Sequence, residues 1–338
     1  MAPELNISFK YKTMNTQKAS IPSTFQPGGV LKNRHVQSIL ASAHFLAPSR
    51  AAFLDNSRQQ IIETPGGSRL LAYLSRHPRA RGLMTIIHGW EGSSSSAYVL
   101  ASASFFYDRG LSVCRLNLRD HGDSHHLNEG LFHGALLKET FDAVSALAQN
   151  FQDMPFYLLG FSLGGNFALR IAIQNSLTPI TNMAHVFAVS PPLDPYKTTQ
   201  TIDSALPVYR KYFLKKWRRS LRKKMQLFPQ KYDFTQMLQA GTCIDLTSDI
   251  MEYMPEFKSY HEYFKLYTLT GQSFSNLRVP VNIFISEDDP VIALEDFRSL
   301  QDNEYLTISR QRFGGHCGFI HLFPHSRWYN DMIANLLK

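Results

Sequence analysis

Cysteine, long apolar runs and an apolar leader are scarce or absent in this sequence of 338 residues. The three cysteines, Cys114, Cys243 and Cys317, are widely separated and form neither a disulfide framework nor a Cys-x-x-Cys site. No stretch reaches the roughly 18 consecutive apolar residues of a membrane helix, and the first twenty residues hold no apolar segment typical of a secretion signal. The sequence therefore predicts neither a secreted disulfide scaffold nor a membrane-spanning protein, and a reducing cytoplasm is the expected compartment.

Cofactor and metal signatures are also missing. The chain contains neither the Gly-x-Gly-x-x-Gly fingerprint of dinucleotide-binding folds nor a phosphate-binding loop, so no nucleotide cofactor is expected. Three histidines cluster at His121, His125 and His126, but their spacing matches no metal-ligand signature. We therefore expect these histidines to lie on a solvated loop near the mouth of a pocket, and we expect no bound metal.

Acidic residues are missing from one segment, and that segment accounts for the net charge of +8. Residues 210–224 contain nine lysines and arginines and no acid, whereas the charges of the remaining chain almost cancel. A basic surface that binds nucleic acid is therefore not expected. In the same segment, apolar residues recur every four positions, which predicts a helix with one apolar side. These residues are Tyr209, Phe213, Trp217, Leu221 and Met225.

Two interpretations of this basic helix stay open. In the first, the apolar side packs on the protein core and the charges are solvated, which is usual for runs of like charge. In the second, the basic face of residues 209–225 draws the protein to anionic lipid surfaces, because each nearby basic residue contributes about 1 kcal/mol at such a surface.

Strands alternate with helices along most of the chain. The sequence predicts a hairpin over 58–76 and later strands over 83–87, 111–118, 156–159, 186–189, 281–286 and 305–310. It predicts helices over 97–107, 135–151, 166–173 and 322–337. This alternation indicates an α/β protein with a doubly wound, mostly parallel sheet whose functional site lies at the carboxyl ends of the strands.

The alternation stops near Pro195 and resumes at Val281, which indicates an inserted helical cap. The predicted organisation is a flexible N-terminal segment over 1–24, a first part of the core over 25–195, a helical cap over 196–275 and a second part of the core over 276–338. Six aromatic residues are expected to fill the core of this cap, and some of them to line an acyl pocket. They are Tyr253, Phe257, Tyr260, Tyr263, Phe264 and Tyr267.

The stretch LLGFSLGGNFALR, residues 158–170, places Ser162 where an apolar strand gives way to a helical pattern. The Gly-x-Ser-x-Gly pattern is typical of a sharp strand-to-helix turn that exposes a serine hydroxyl as a nucleophile, because glycines avoid the steric collisions of such a turn. A glycine-rich turn that holds an ordinary serine is the alternative. A serine becomes a good nucleophile only beside a base that an acid orients, so the partners decide between the two.

His316 is the best candidate for the base. It follows the last predicted strand, precedes the last predicted helix and is flanked by glycines that leave room beside its ring. His321 and His325 lie further on, within the helical pattern, where surface or packing roles are expected. Cys317 could be considered a nucleophile, but no strand-to-helix turn surrounds it, so we expect it to pack in the core.

Three carboxylates follow the predicted strand 281–286, and Asp289 is the best candidate for the acid. It comes directly before the turn Pro290-Val291-Ile292, as the acid of a doubly wound hydrolase does, and the order Ser, Asp, His is also that of such hydrolases. Asp288 is the near alternative and is expected to cap the turn. Asp194 is a weaker candidate, expected to be a turn residue beside prolines.

Two backbone N–H groups are expected to stabilise an oxyanion. Leu163 supplies the first because it follows the nucleophile, and the loop after the strand 83–87 supplies the second, for which we choose Trp90. His88 is expected to support this loop through hydrogen bonds rather than to take part in the chemistry.

These elements together resemble the α/β-hydrolase fold and, more narrowly, its YheT-like branch (α/β-hydrolase family 4). The resemblance runs from about residue 25 to the C-terminus. Its further motifs are Phe25-x-Pro27, Leu31-Lys32-Asn33-Arg34-His35-Val36-Gln37, His88-Gly89-x-Glu91-Gly92, Asn117-x-Arg119-x-x-Gly122, Asp288-Asp289-Pro290 and Gly315-His316-x-Gly318-Phe319. The resemblance implies a carboxylic ester hydrolase, with acyl lipids among the substrates of some relatives. The chain departs from the pattern at Ala293 and at Asp120-His121, which bears on the substrate rather than on the reaction.

We therefore predict a serine esterase that cleaves a small-molecule or lipid ester through an acyl-enzyme, with no cofactor. Two alternatives stay open: an acyltransferase that uses the same triad, and a non-catalytic binding protein on a hydrolase fold. An intact set of serine, acid and histidine favours an enzyme, because binding alone does not require all three.

Overall fold

The computed structural model of the protein describes residues 24–48, 51–300 and 303–337. The predicted flexible segment 1–24 lies outside these ranges except for Thr24. The strands are β1 (Ser57–Glu63), β2 (Arg69–Ser75), β3 (Leu83–Ile87), β4 (Ser112–Leu116), β5 (Phe156–Phe161), β6 (Met183–Val189), β7 (Val281–Ser286), β8 (Leu306–Gln311), β9 (Ile320–Leu322) and β10 (His325–Arg327). The helices are α1 (Arg34–Ala41), α2 (Ala52–Asp55), α3 (Ala97–Tyr107), α4 (Leu137–Gln149), α5 (Leu163–Asn175), α6 (Pro195–Ser204), α7 (Pro207–Leu227), α8 (Cys243–Ile250), α9 (Tyr260–Lys265) and α10 (Trp328–Leu336).

Eight of the strands form one sheet in the order β1-β2-β4-β3-β5-β6-β7-β8. The strand β2 is antiparallel to both of its neighbours, whereas the pairs from β4 to β8 are parallel. The predicted doubly wound, mostly parallel sheet is thus confirmed. The loops that follow β3, β5, β7 and β8 meet at the carboxyl edge of this sheet, which is where a ligand site is expected.

The central strands are apolar because both faces of the sheet are covered. Every residue of β3 is buried, and successive side chains point to opposite faces. Leu83 and Ile87 belong to one apolar cluster and Ile86 to the other. Helices α4 and α5 contribute to the first cluster, and helices α3 and α10 contribute to the second.

The chain between β6 and β7 is helical. We call residues 196–275, which the sequence predicts to be an inserted cap, the cap segment; they contain α7, α8, α9 and most of α6. The helix α7 begins with Pro207, whose fixed φ suits the first helical position. Its side chains Leu214 and Leu221 are buried in the apolar cluster that also contains residues of α5.

The predicted apolar side of α7 packs on the core, but the expectation that its charges are all solvated is wrong for Lys224. This side chain is 1% exposed, and its Nζ donates to Oδ1 of Asp120 at 2.8 Å. The same ammonium group donates to the backbone carbonyls of His125, Asn128 and Gly130. A regular run of basic residues does not reveal that one member meets a buried carboxylate from a distant loop.

The predicted final helix over 322–337 is wrong in its first part. The hairpin of β9 and β10 occupies 320–327, and α10 begins only at Trp328. Pro324 explains the difference, because it has no N–H to donate and disfavours the helical conformation of the preceding residue. His321 and His325 consequently lie on this hairpin rather than on a helix.

In the described part of the chain, no helix combines the length and the apolar character needed to cross a bilayer.

Candidate active site

Ser162 lies on the turn between β5 and α5. Its φ of 50° and ψ of −121° place it outside the conformations that residues other than glycine usually adopt. Its N–H donates to the carbonyl of Val189 at 2.8 Å, and its own carbonyl accepts from the N–H of Asn166 at 3.0 Å. These backbone bonds hold the strained turn, which costs on the order of 1–3 kcal/mol.

Gly160 and Gly164 permit this turn because neither carries a Cβ. A Cβ on Gly160 would lie 2.1 Å from the carbonyl oxygen of Gly164. A Cβ on Gly164 would lie 2.3 Å from the carbonyl oxygen of His88. Both contacts are with backbone atoms that cannot rotate away, so the Gly-x-Ser-x-Gly pattern is a steric requirement of this turn.

The structure brings Ser162, His316 and Asp289 together. Nε2 of His316 lies 2.9 Å from Oγ of Ser162, and Nδ1 of the same ring lies 3.0 Å from Oδ2 of Asp289. In the neutral tautomer that suits this arrangement, Nδ1–H donates to Asp289 and Nε2 accepts the serine hydroxyl. This is the geometry of a nucleophile, a base and an orienting acid.

The carboxylate of Asp289 raises the proton affinity of the imidazole. Burial is the largest single effect and lowers the pKa of His316, but the charge and the hydrogen bond of Asp289, together with the neighbouring Cys317, hold that pKa well above 6.5. The ring therefore gives up its proton to solvent only at a higher pH than a free histidine does.

The loop that carries His316 is fixed by side chains from three other segments. Gly315 has a φ of 54°, and a Cβ there would lie 2.4 Å from the carbonyl oxygen of Arg34, so only glycine fits. Three successive backbone N–H groups each donate to a side-chain oxygen, and the hydroxyl of Ser286 donates to the carbonyl of Gly315 at 2.8 Å. The three bonds are Gly315 to Asp288 at 2.9 Å, His316 to Ser38 at 2.9 Å and Cys317 to Ser190 at 3.2 Å.

The helix α1 is a support of the site that sequence reasoning missed. Gln37 is fully buried, donates to the carbonyls of Leu31 and Ile320 and accepts from the N–H of Ile320 at 2.9 Å. Together with Ser38, it joins α1 to the loop of His316. The sequence signal for this role was the motif over 31–37, which indicated a family resemblance but not a support of the site.

The neighbouring acids differ in their bonds. Oδ1 of Asp289 accepts from the N–H groups of Val291 and Ile292 at 2.8 and 3.0 Å, so Asp289 itself caps the turn. The expected capping role of Asp288 is therefore wrong, because its Oδ1 instead accepts from Gly315. Asp194 caps α6 through the N–H of Lys197, as expected of a turn residue.

In the loop 88–92, which follows β3, one of the four backbone N–H groups from Gly89 to Gly92 has no acceptor among the described residues. The N–H of Gly89 donates to the hydroxyl of Tyr98 at 3.0 Å, that of Glu91 to Nε2 of His121 at 3.1 Å, and that of Gly92 to the carbonyl of Gly89 at 2.9 Å. The N–H of Trp90 donates to none of the described residues. The N–H of Leu163 is likewise free of described acceptors, as expected at the start of a helix.

His88 supports this loop, as the sequence predicts. Its Nε2 accepts from the N–H of Leu118 at 3.2 Å, so Nδ1 carries the proton and donates to the carbonyl of Gly89 at 2.7 Å. Complete burial lowers its pKa well below 6.5, which keeps the ring neutral.

The expected solvated loop of histidines is wrong for His121 and His125. These side chains are 3% and 4% exposed, whereas His126 is exposed. Burial lowers the pKa of His121 to about 4 and, with Lys223 nearby, that of His125 to about 3. The helix α7 covers this loop, and Ser220 lies 2.8 Å from Nε2 of His125. No cluster of metal-ligand type is present among the described residues.

Ser162 borders two cavities. The first has a volume of about 90 Å³ and is enclosed mainly by apolar side chains of the cap segment and core, such as Ile250, Met254 and Phe264. The second has a volume of about 540 Å³ and is also lined mainly by apolar side chains, with His316, Ser38 and Lys216 among its polar groups. Among the described lining residues of both cavities there is no aspartate or glutamate.

Some of the aromatic residues that the sequence assigned to the cap pack together and also line a cavity. Tyr263, Phe264 and Tyr267 form an apolar cluster of their own and also line the smaller cavity. Cys317, in contrast, is a buried free thiol in the core cluster, as expected.

Comparison with known proteins gives two relatives of low identity. A monoacylglycerol lipase of Saccharomyces cerevisiae is 23% identical over 272 residues, which cover 77% of this chain and 59% of the lipase. The chain thus spans less than two thirds of that relative. An abhydrolase domain-containing protein of Dictyostelium discoideum is 24% identical over 328 residues, which cover 93% of this chain and 81% of the relative.

A solved structure and a family model agree with this fold. The structure of an esterase of Pyrococcus furiosus superposes with a TM-score of 0.55 at 15% identity and covers 92% of this chain and 98% of the esterase. The model of the family described as serine aminopeptidase, S33, matches residues 78–307, which is more than half of the chain. The chain therefore belongs to the serine aminopeptidase S33 family of the α/β hydrolases.

Proposed function

We propose that the protein hydrolyses carboxylic esters with Ser162 as nucleophile, His316 as base and Asp289 as orienting acid. The observation that carries the proposal is the imidazole of His316, which lies within hydrogen-bond distance of both Ser162 and Asp289. This ring borders the larger cavity, and the serine borders both. A serine with a purely structural role needs neither partner.

The reaction proceeds in two halves. Nε2 of His316 takes the hydroxyl proton as Oγ of Ser162 attacks the ester carbonyl, and the imidazolium is stabilised by the carboxylate of Asp289. The same Nε2 then gives its proton to the leaving alkoxide, which departs as an alcohol and leaves an acyl-enzyme. Water repeats the sequence: it gives a proton to His316, its oxygen attacks the acyl carbon, and Ser162 departs protonated with release of the carboxylic acid.

The N–H groups of Trp90 and Leu163 are the proposed donors to the oxyanion. Support comes from the hydrogen bonds of the loop 88–92, in which Gly89, Glu91 and Gly92 all donate to protein atoms. A buried N–H group without an acceptor is costly, unless a ligand supplies the acceptor. A tetrahedral intermediate on Ser162 would do so.

The two cavities suggest how an ester is oriented. The leaving alcohol must receive a proton from Nε2 of His316, and His316 lines the larger cavity but not the smaller one. The alcohol part therefore belongs in the larger cavity. The acyl chain then belongs in the smaller cavity, whose lining is mainly apolar, and we propose acyl lipids or short-chain acyl esters as substrates.

An ester fits this site better than the N-terminus of a peptide, in spite of the family's description. An aminopeptidase must hold an α-ammonium group, and a carboxylate is the usual partner of such a charge in a cavity. Neither cavity has an acidic side chain among its described lining residues, and the larger one contains Lys216. The yeast lipase among the relatives, a monoacylglycerol lipase by name, is consistent with an acyl-lipid substrate.

We also propose that the protein belongs to the YheT-like branch and functions in a reducing compartment. The YheT-like branch is supported by the motif over 31–37, because Gln37 of this motif joins α1 to the segment that follows His316. A reducing compartment such as the cytoplasm is supported by the three buried cysteines, which are all free thiols.

Contact with an anionic membrane is proposed through one face of α7. Lys211, Lys215, Arg219 and Arg222 are exposed, and their spacing places them on one side of the helix. Lys224 does not belong to this face because it is buried. The exposed basic face would bring the cap segment close to the lipid surface from which an acyl lipid is drawn.

Covalent labelling tests the function directly. The wild-type protein should react with a fluorophosphonate probe and hydrolyse nitrophenyl esters, and Ser162→Ala should lose the labelling and roughly 10⁶-fold in turnover. His316→Ala should lose nearly as much. Near-native hydrolysis by folded Ser162→Ala would refute the proposal, and absence of both activities from the wild type would favour a binding protein.

A further inference from the structure

The helix α7 encloses the side chain of Trp90. The ring of Phe213 stacks on the indole, with centroids 5.2 Å apart and an interplanar angle of 13°. Trp217 meets the same indole edge-on, with centroids 5.1 Å apart and an angle of 70°. Because Phe213 and Trp217 are four positions apart, they lie on one face of α7, and this face contacts the loop 88–92.

Lys216 holds the peptide group between Glu91 and Gly92. Its Nζ donates to the carbonyl of Glu91 at 3.1 Å and lies 4.7 Å from the ring centroid of Tyr212. The N–H of Glu91 donates to His121 on the other side. Glu91 has a φ of 55°, which residues other than glycine rarely adopt, so these two bonds stabilise an otherwise unfavourable conformation.

The position of α7 itself is fixed from the core. The ammonium group of Lys224 is buried against Asp120 and three backbone carbonyls, as described above. Two turns earlier in the helix, Trp217 contacts the loop 88–92. One buried ion pair therefore joins the helix to the core near the residues that contact Trp90.

These contacts bear on the one N–H group of Gly89 to Gly92 that lacks a described acceptor. The direction of the Trp90 N–H depends on the backbone around Trp90, and α7 holds both the side chain of Trp90 and the peptide group that follows Glu91. An oxyanion donor is effective only when its N–H lies about 2.7–3.1 Å from the developing charge. A small rotation of this backbone would misdirect it.

We propose that α7 is a clamp for the loop 88–92, which carries the proposed oxyanion donor Trp90. Lys216 is a positioning residue that acts through the carbonyl of Glu91. This inference rests on the ester-hydrolase function proposed above. In it, a helix of the cap segment completes the oxyanion site of the core. Substrate binding beneath the cap and transition-state stabilisation are thereby coupled through Phe213, Lys216 and Trp217.

Lys216→Met tests the clamp, because methionine keeps the apolar stem and removes the donor. The kcat for a short nitrophenyl ester should fall about tenfold, less than the 10²–10³-fold that complete removal of an oxyanion donor costs. The KM should change much less. The Ki of an alkyl boronic acid, which forms a tetrahedral adduct on the serine, should rise by the factor by which kcat/KM falls.

Three controls make the result specific. Lys216→Arg keeps a donor and should recover most of the lost kcat, whereas Lys265→Met makes the same substitution at an exposed position of α9 and should change nothing. Phe213→Leu removes the ring that stacks on the indole of Trp90. It should therefore also lower kcat and raise the Ki of the boronic acid, independently of Lys216. Circular dichroism and thermal melting establish that each variant is folded.

The outcomes separate the clamp from the proposed function. If folded Lys216→Met keeps the wild-type kcat and boronic acid Ki, the clamp is wrong. If the loss lies in KM alone, Lys216 contacts the substrate and the clamp is again wrong. If the wild type itself neither labels nor hydrolyses esters, both the proposed function and the clamp are overturned.

Discussion

At the scale of single residues, Asp288 and Asp289 are neighbours with different bonding partners. Asp289 accepts from the turn with Oδ1 and faces the imidazole of His316 with Oδ2. Asp288 accepts from the N–H of Gly315, and burial raises its pKa. One acid thus faces the ring, and the other supports the loop that carries the ring.

These partners predict unequal effects of the same substitution. Asp289→Asn should lower kcat roughly 10⁴-fold, because the amide N–H₂ favours the tautomer in which Nε2 of His316 carries the proton and cannot accept another. Asp288→Asn keeps a carbonyl oxygen for Gly315 and should cost less than about tenfold, since a net hydrogen bond contributes about 1 kcal/mol. Steady-state kinetics of the two folded variants measure the difference, and the reverse order would reassign the acid to Asp288.

The raised pKa of His316 predicts a pH dependence. The base must be neutral, so kcat/KM should fall as the pH drops through the pKa of His316, with a midpoint above 6.5. In Asp289→Asn the opposing effect of burial remains without the carboxylate, so the midpoint of the residual activity should move below that of the wild type. A kcat/KM profile between pH 5 and 9 tests this. Identical midpoints would show that Asp289 does not raise this pKa.

Sequence reasoning singled out the residues whose chemistry is visible in short motifs. The spacing around Ser162, the turn after Asp289 and the glycines beside His316 each carry local information, and the structure brings these three side chains together. The support from Ser38 could not be predicted, because it bonds to a backbone group 278 positions away and serine has no distinctive pattern. Long-range bonds between ordinary residues are visible only in the folded chain.

At the scale of elements, periodicity predicted strands and helices well but missed local breaks. The strand 83–87, the helix 97–107 and the strand 281–286 coincide with β3, α3 and β7. The predicted start of the last helix failed because the apolar residues around Pro324 suggested a helical period, whereas proline excludes that conformation. The composition of α7 predicted its apolar side but not the burial of Lys224, because burial depends on a partner in another element.

The exposed basic face of α7 predicts binding to anionic membranes. Its four residues together contribute about 4 kcal/mol at a strongly anionic surface before screening. The wild type should therefore sediment with phosphatidylserine vesicles at low salt, much less at high salt, and not with phosphatidylcholine vesicles. Replacement of all four by glutamine should abolish the binding. These residues are Lys211, Lys215, Arg219 and Arg222.

A charge-matched variant separates this face from net charge. It replaces four exposed basic residues outside α7 by glutamine: Lys138, Lys265, Arg278 and Arg298. The matched variant should bind like the wild type if the basic face of α7 is the contact. Equal losses in the two variants would mean that only total charge matters, and equal binding to both lipids at every salt concentration would contradict an electrostatic contact.

At the scale of the whole molecule, the site is assembled from parts that are distant along the chain. The helix α1 supports the loop of His316, and the pair of Lys224 and Asp120 joins the cap segment to the core. Loss of one partner of such a buried pair usually costs about 3–5 kcal/mol, because the other charge is left without a partner. Position of the cap and integrity of the site are therefore linked.

The two cavities lead to a prediction about the whole enzyme, because they divide an ester at Ser162. Ile202 lines only the smaller, apolar cavity, and Val208 lines only the larger one. If the acyl chain occupies the smaller cavity, Ile202→Phe should shift the preferred acyl chain to shorter lengths. Each methylene that no longer enters the cavity loses about 0.8 kcal/mol of burial free energy, which lowers kcat/KM roughly fourfold, whereas acetyl esters should be almost unaffected.

Val208→Phe should instead change the preference for the alcohol part. The measurement is kcat/KM for two ester series, one that varies only the acyl chain and one that varies only the alcohol. An opposite pattern, with Ile202→Phe acting on the alcohol series, would place the leaving group beneath the cap, where His316 does not reach it.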